Sequence, residues 1–274
     1  MKSLKKIVTK YFFAFLIFLI AVLFNQYSGN RGVFPIDSFS HFDTGYRIIL
    51  GDRPFEDYWI VSGFFVDYLQ SLIFILLGVN WQTFLLHASI LNGVVTLVIY
   101  YLFLSMGLNR ALSFFYSICF SILAYPSSGT PFVDHHSAFL SLLALFVFIR
   151  AINENKKYYW ILIPVIFAAA FLSKQVPASY MFITTILILV YHMKVSEKKN
   201  NYKILLYLSF SSLAVIFLTN SLFFFNSISL QNFFDQYINF PKSLGKQRLV
   251  EVDLNYKNLI LDFKFIYIII LMYM

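Results

Sequence analysis

The chain of 274 residues is 59% hydrophobic and 20% aromatic, with only 12% charged residues and a mean hydropathy of +0.73, whereas a soluble domain carries about a quarter charged residues. This balance excludes an ordinary soluble fold and implies a polytopic membrane protein. The formal charge of +8 does not point to nucleic acid, because the basic residues cluster between apolar runs as positive-inside loops do, and the lone Cys119 excludes a disulfide framework or a cysteine-based metal site.

The first apolar run, 8–25, has Lys2, Lys5 and Lys6 before it and Lys10 at its start, and it lacks a small-x-small cleavage site. It reads as an uncleaved first span with a cytoplasmic N-terminus rather than a secretion signal. A polar outer loop, 26–81, comes next. Within it, SFSHFDTGYRIIL places Phe39, Phe42, Tyr46 and Ile49 at helical spacing, which predicts an amphipathic helix lying flat on the membrane, stopped by Gly51 and Pro54. Phe64–Val79 is apolar but only 16 residues long, and it carries Asp67 and Gln70 one turn apart. A carboxylate at mid-membrane costs about 2.5–3.5 kcal/mol, so this stretch is expected to lie at the interface or against other helices rather than to cross.

A span needs about 20 apolar residues to cross about 30 Å of hydrocarbon. The candidates after the loop are 82–106, 110–126, 136–152, 157–173, 177–194, 203–223 and 259 to the end. With 8–25 they make about eight spans, hence an all-α polytopic transmembrane helix bundle, read as a single membrane-embedded domain over 1–274. The sequence stops within FIYIIILMYM, a span cut short, so a piece of a longer protein or a minimal relative is expected. With Phe64–Val79 not crossing, the cytoplasmic side holds twelve of the 21 basic residues and two of the 13 acidic ones. If it crossed, Lys156–Lys157 and Lys198–Lys199 would both face outward, against the positive-inside rule. The preferred topology brings the 34–63 loop, the 125–136 turn, the 173–177 turn and the 226–258 loop to the outer face, where one polar cavity is expected.

Carboxylates and imidazoles beside a membrane are costly and therefore mark function. Asp37 precedes the surface helix, either capping it or taking a proton from an acceptor hydroxyl or amine, with His41 one turn away on the same side. Asp43 points elsewhere on that helix, and Asp57 precedes Tyr58–Trp59, which suits an interfacial belt. In TPFVDHHSAF, Asp134 is a helix N-cap or a second active-site acid. A metal site built from Asp134, His135 and His136 is disfavoured, because neighbouring imidazoles at one helix start do not point at one ion. In FLSKQVPASY, Lys174 either snorkels or neutralises an anionic leaving group, with Gln175 beside it. Lys242, Lys246 and Arg248 suit phosphate contacts or a solvated loop equally, and His87 and His192 read as structural.

An acid just outside the first span, then Ile49, Leu50, Gly51, Pro54, Phe55 and Asp57 in an "ilxGxxPaxD" pattern, a glycine and an apolar segment ending in "llG", together resemble the GT-C class of membrane glycosyltransferases. That class includes the protein O-mannosyltransferases and the lipid A aminoarabinose transferases. The resemblance departs at Ser38, where many relatives have glutamate, and at Phe64, where many have proline. It implies a polyprenyl-phosphate sugar donor, a catalytic carboxylate at Asp37 and a second acid at Asp134. It also favours Lys174 as the cation that holds the lipid phosphate, with His41, Asp43, Asp57, His135, Gln175 and Arg248 around the substrates.

No glycine-rich phosphate loop, nucleotide fingerprint or nucleophile elbow is present, which agrees with a donor delivered through the membrane. The sequence reading is thus transfer of a hexose or pentose from a lipid phosphate to a lipid, glycan or protein at the outer face, with no cofactor and no metal expected. Abundant Phe, Ile, Lys, Asn and Tyr suit an AT-rich genome, and a bacterial inner membrane is expected. The rival class is a non-enzymatic transporter or flippase for lipid-linked or anionic substrates. It calls for ionisable residues deep in several spans and a repeated half, neither of which the sequence displays.

Overall fold

The computed structural model describes residues 2–32, 35–125, 129–195, 201–251 and 256–273, with side chains except those of 2–10, 35–38, 248–251, 258, 259 and 273. All regular elements among them are helices. In chain order these are α1 (Lys2–Gly29), α2 (Pro35–Leu50), α3 (Phe64–Leu77), α4 (Trp81–Ser105), α5 (Arg110–Leu123), α6 (Val133–Glu154), α7 (Lys157–Ser173), α8 (Gln175–Val195) and α9 (Asn201–Phe225). A short α10 (Leu230–Phe233), one π-helical turn (Phe234–Asn239), α11 (Phe240–Glu251), α12 (Tyr256–Asp262) and α13 (Lys264–Tyr273) follow.

Five helices, α1 from Tyr11 onward with α4, α6, α8 and α9, are long and apolar enough to cross a membrane. The expected spans 110–126 and 157–173 are shorter helices of 14 and 17 residues, about 21 and about 26 Å at the helical rise. The stretch from 259 onward is described as α12 and α13, which meet at Phe263.

Helices α1, α4 and α5 pack on one another, and α6, α7, α8 and α9 form a second group, joined to the first through α4–α6 and through α3. Asparagines start two of these helices as the sequence dictates. Asn80 Oδ1 accepts from Thr83 N–H and Asn109 Oδ1 from Leu112 N–H, each at 2.9 Å, filling donors the first turn leaves open.

The start of α4 lies beside the end of α1: Gln82 Nε2 donates to Asn30 Oδ1 at 3.0 Å. Gly29 and Gly129 touch so closely that a Cβ at Gly129 would stand 2.5 Å from Gly29 Cα, which places the α5–α6 turn at that same end. Helix α3 therefore leaves and returns at one end of the bundle and does not cross it. The surface helix α2 also forms as its sequence periodicity predicts. Phe39 and Tyr46 stay exposed, as a face lying on lipid requires, while Phe42 packs on Phe74 and Phe84. Against α3, however, α2 turns His41 and Gly45, and at Gly45 a Cβ would stand 2.8 Å from Gln70 Cγ.

Candidate active site

The end of the bundle shared by α2, α3 and the starts of α4, α6 and α8 carries most of the polar side chains that the sequence singles out. Asp134 lies in the first turn of α6, where the helix N-terminus favours a negative charge. The N-cap is Phe132 and not Asp134. Helix α7 ends at Ser173, and the extended backbone of Lys174 turns its ammonium onto α6. Lys174 Nζ donates to both Asp134 oxygens at 2.7 Å, while the Lys174 carbonyl accepts from Ser137 Oγ at 2.9 Å. The two side chains keep 33% and 43% exposure, so the pair is within reach of a ligand.

Two amides fasten the first loop around this turn. Gln175 Nε2 donates to the carbonyls of Val61, at 2.8 Å, and Tyr237. Gln236 accepts from Ile60 N–H at 3.0 Å and donates to the Phe55 carbonyl at 2.8 Å. Phe55 is buried against Phe64, Phe223, Phe233 and Tyr237. The segment after α9 thus clamps the end of the first loop onto α7.

Behind the surface runs a buried polar chain. His41 Nδ1 and Thr44 Oγ1 donate to Asp67 Oδ1 at 2.8 and 2.7 Å, and Asp67 is fully buried. Burial pushes the Asp67 carboxyl above its ordinary range, against the two hydrogen bonds that favour the charged form. One turn on, Gln70 Oε1 lies 2.8 Å from His87 Nδ1, His87 Nε2 lies 3.0 Å from His136 Nε2, and His136 Nδ1 lies 2.9 Å from the Tyr125 hydroxyl. Phe132 N–H donates to the Tyr125 hydroxyl, and His136 Nδ1 also lies 3.0 Å from the Phe132 carbonyl. Asp67 Oδ2 and Gln70 Nε2 have no partner among the described residues.

The expected site residues separate into four sets. Asp134, Lys174 and Gln175 come together as described, and His41 stands nearby across Gly63. The side chains of Asp37 and Arg248 lie outside the described residues, although the backbone of Asp37 belongs to α2, one turn before His41. Asp43 and Asp57 sit on exposed surface and are each spent on an arginine. Arg47 Nε donates to Asp43 at 2.7 Å, and Arg53 Nε to Asp57 at 2.9 Å; the Arg53 hydrogen bonds draw the Asp57 carboxyl down to about 2. His135 packs among Tyr125, Phe132 and Phe139 while His136 faces His87, so the neighbouring imidazoles diverge. Sequence reasoning left Asp67, Gln70, His87, His136 and Tyr125 without a site role. The signal for the first two was their cost in an apolar helix, whereas the histidine pairing joins positions 49 residues apart and leaves no local trace.

An apolar groove between α7, α8 and α9 descends from this end. Its middle stretch, about 460 Å³, is lined by Pro164, Phe167, Phe182, Ser212 and Val215 among others. Its upper stretch reaches Leu172 and Phe233, and Leu172 is two residues from Lys174.

The model of the family described as dolichyl-phosphate-mannose-protein mannosyltransferase matches residues 61–223. The matched stretch takes in Asp67, the buried histidines, Asp134 and Lys174; it begins after Asp37 and His41. Neither the curated proteins nor the solved structures contain a significant match to the chain.

Proposed function

The chain belongs to the dolichyl-phosphate-mannose-protein mannosyltransferase family, membrane glycosyltransferases of the GT-C kind, and from that premise we propose that it moves a sugar from a polyprenyl phosphate to a lipid, glycan or protein acceptor. The observation that carries this reading is the part-exposed Lys174–Asp134 ion pair at the polar end of the bundle, with an apolar groove along α7 that reaches Leu172, two residues before Lys174. The groove suits an isoprenoid chain, and the ammonium suits the phosphate.

In this mechanism the acceptor attacks the anomeric carbon while the bond from that carbon to the phosphate oxygen breaks. The electron pair leaves with the lipid phosphate, where Lys174 offsets the growing charge. Asp134 holds the ammonium in place and borders the sugar, and Asp37 is the catalytic carboxylate that receives or orients the acceptor. A single displacement of this kind inverts the anomeric centre. His135, Gln175, Asp43, Asp57 and Arg248 belong to the surrounding substrate surface; the positive-inside distribution supports an outward polar end with a cytoplasmic N-terminus, and the composition supports a bacterial inner membrane.

The test is transfer from polyprenyl-phosphate [3H]mannose in membranes holding the chain. Asp37→Asn is expected to lower transfer by about 10²–10⁴-fold with the protein still present in the membrane. Transfer by Asp37→Asn at the parent rate removes Asp37 from the mechanism.

A further inference from the structure

Among the described residues Asp67 is the one acidic side chain that is buried: a carboxylate with no exposed surface, on a helix whose other residues are largely apolar. Its environment explains why it is tolerated. Oδ1 takes two donors, His41 Nδ1–H and Thr44 O–H. A carboxylate that accepts from Nδ1 fixes the proton there and leaves Nε2 with its lone pair, the tautomer a base requires.

The ring is also held sterically. Gly63 has φ +88°, and a Cβ at that position would stand 2.8 Å from His41 Cε1 and 2.4 Å from Val133 Cγ1. His41 and the first residue of α6 therefore border the same glycine, and Asp134 is the next residue of α6. No described residue bonds His41 Nε2, and 11% of the side chain remains exposed. Ionisable groups face His41 from each packed element: Asp67 from α3, with His87 of α4 and His136 of α6 within electrostatic reach. On α2 itself, the charged groups nearby among the described side chains are Asp43 and Arg47.

We propose that His41 is the group that takes the acceptor's proton and that Asp67 is its positioning residue. This rests on the transferase reading above and divides the labour on α2, with Asp37 orienting the acceptor and His41 receiving the proton. As the acceptor O–H (or N–H) bond breaks, its proton passes to Nε2. The heteroatom's electron pair forms the bond to the anomeric carbon, and the pair of the broken carbon–oxygen bond departs with the lipid phosphate. The imidazolium that results is stabilised by Asp67 and returns its proton to water.

The alternative is a purely structural tie between α2 and α3, and His41→Asn separates the two roles. An asparagine amide can donate to Asp67 in place of Nδ1–H but cannot take a proton. With polyprenyl-phosphate [3H]mannose as probe, His41→Asn is expected to lower transfer by about 10²–10⁴-fold. His41→Ala is expected to lose as much and to regain part of it on addition of imidazole. In 15N-histidine spectra the parent's His41 should carry its proton on Nδ1, and Asp67→Asn should move it to Nε2 with a loss of transfer. Parent-like transfer by His41→Asn, or an Ala variant that imidazole leaves unchanged, overturns the proposal while the transferase reading stands. A parent chain that uses no polyprenyl-phosphate sugar at all overturns the transferase reading and the role of His41 with it.

Discussion

Replacing Lys174 by methionine is expected to lower sugar transfer by about 10²–10³-fold, the range seen when a single group facing a developing oxyanion is removed, while costing less than about 1 kcal/mol of stability. The two magnitudes diverge because the Lys174–Asp134 pair, bonded at 2.7 Å, is one-third to two-fifths exposed. Half-exposed ion pairs contribute little to folding. In the proposed mechanism, by contrast, this ammonium would meet the donor phosphate in partly excluded water, where its charge is worth more. Asp134→Asn leaves that cation in place and is expected to cost about 10-fold or less, through a looser Lys174. If the pair were only a clasp between α6 and the α7–α8 turn, either single substitution and the double substitution would give the same effect. Measuring transfer and thermal unfolding for all three variants in one detergent decides between these outcomes.

Gly63→Ala is expected to cost about 2–4 kcal/mol. Two costs combine. A left-handed backbone, φ +88° here, charges any residue with a Cβ about 1 kcal/mol. The Cβ itself would stand 2.4 Å from Val133 Cγ1 and 2.8 Å from His41 Cε1, and overpacking of that kind costs about 1–3 kcal/mol. Neither neighbour yields easily, since valine is stiff at χ1 and the His41 ring is bonded to Asp67. Gly51 supplies the matched control: its φ is +99° and nothing lies within 4 Å of an added Cβ, so Gly51→Ala is expected to lose only the backbone part. A fall in melting temperature for Gly63→Ala no larger than for Gly51→Ala would show that the close approach of α2, α3 and α6 is absent.

Much of the fold is legible because membrane spans are written in composition. Apolar length and basic clusters locate the long helices, and the cost of Asp67 correctly argues against a crossing at Phe64–Val79. The hydrogen bond between Gln82 and Asn30 supports that reading independently, by putting the start of α4 at the end of α1.

The candidate site is only half legible. Residue type and position single out Asp134 and Lys174 separately, but their ion pair depends on how α6 meets the α7–α8 turn. On α2 the aromatic positions form the conspicuous stripe, and Phe39 and Tyr46 of that stripe remain exposed. The less conspicuous stripe of His41 and Gly45 faces the protein, because it meets a carboxylate and an amide on α3. Sequence periodicity shows two faces there; only the partner's polar groups decide which of them turns inward.

The most direct measurement is photolabelling with a polyprenyl-phosphate mannose that carries a diazirine in its first isoprene units, followed by peptide mapping of the labelled chain. The expected result is label in the α7 and α9 segments lining the groove, around Phe167, Phe171 and Val215, displaced by unlabelled donor and weakened in Lys174→Met. Label spread over the lipid-exposed faces of α8 and α9, with no competition from donor and no change in Lys174→Met, would contradict a lipid-phosphate donor seated at this end of the bundle.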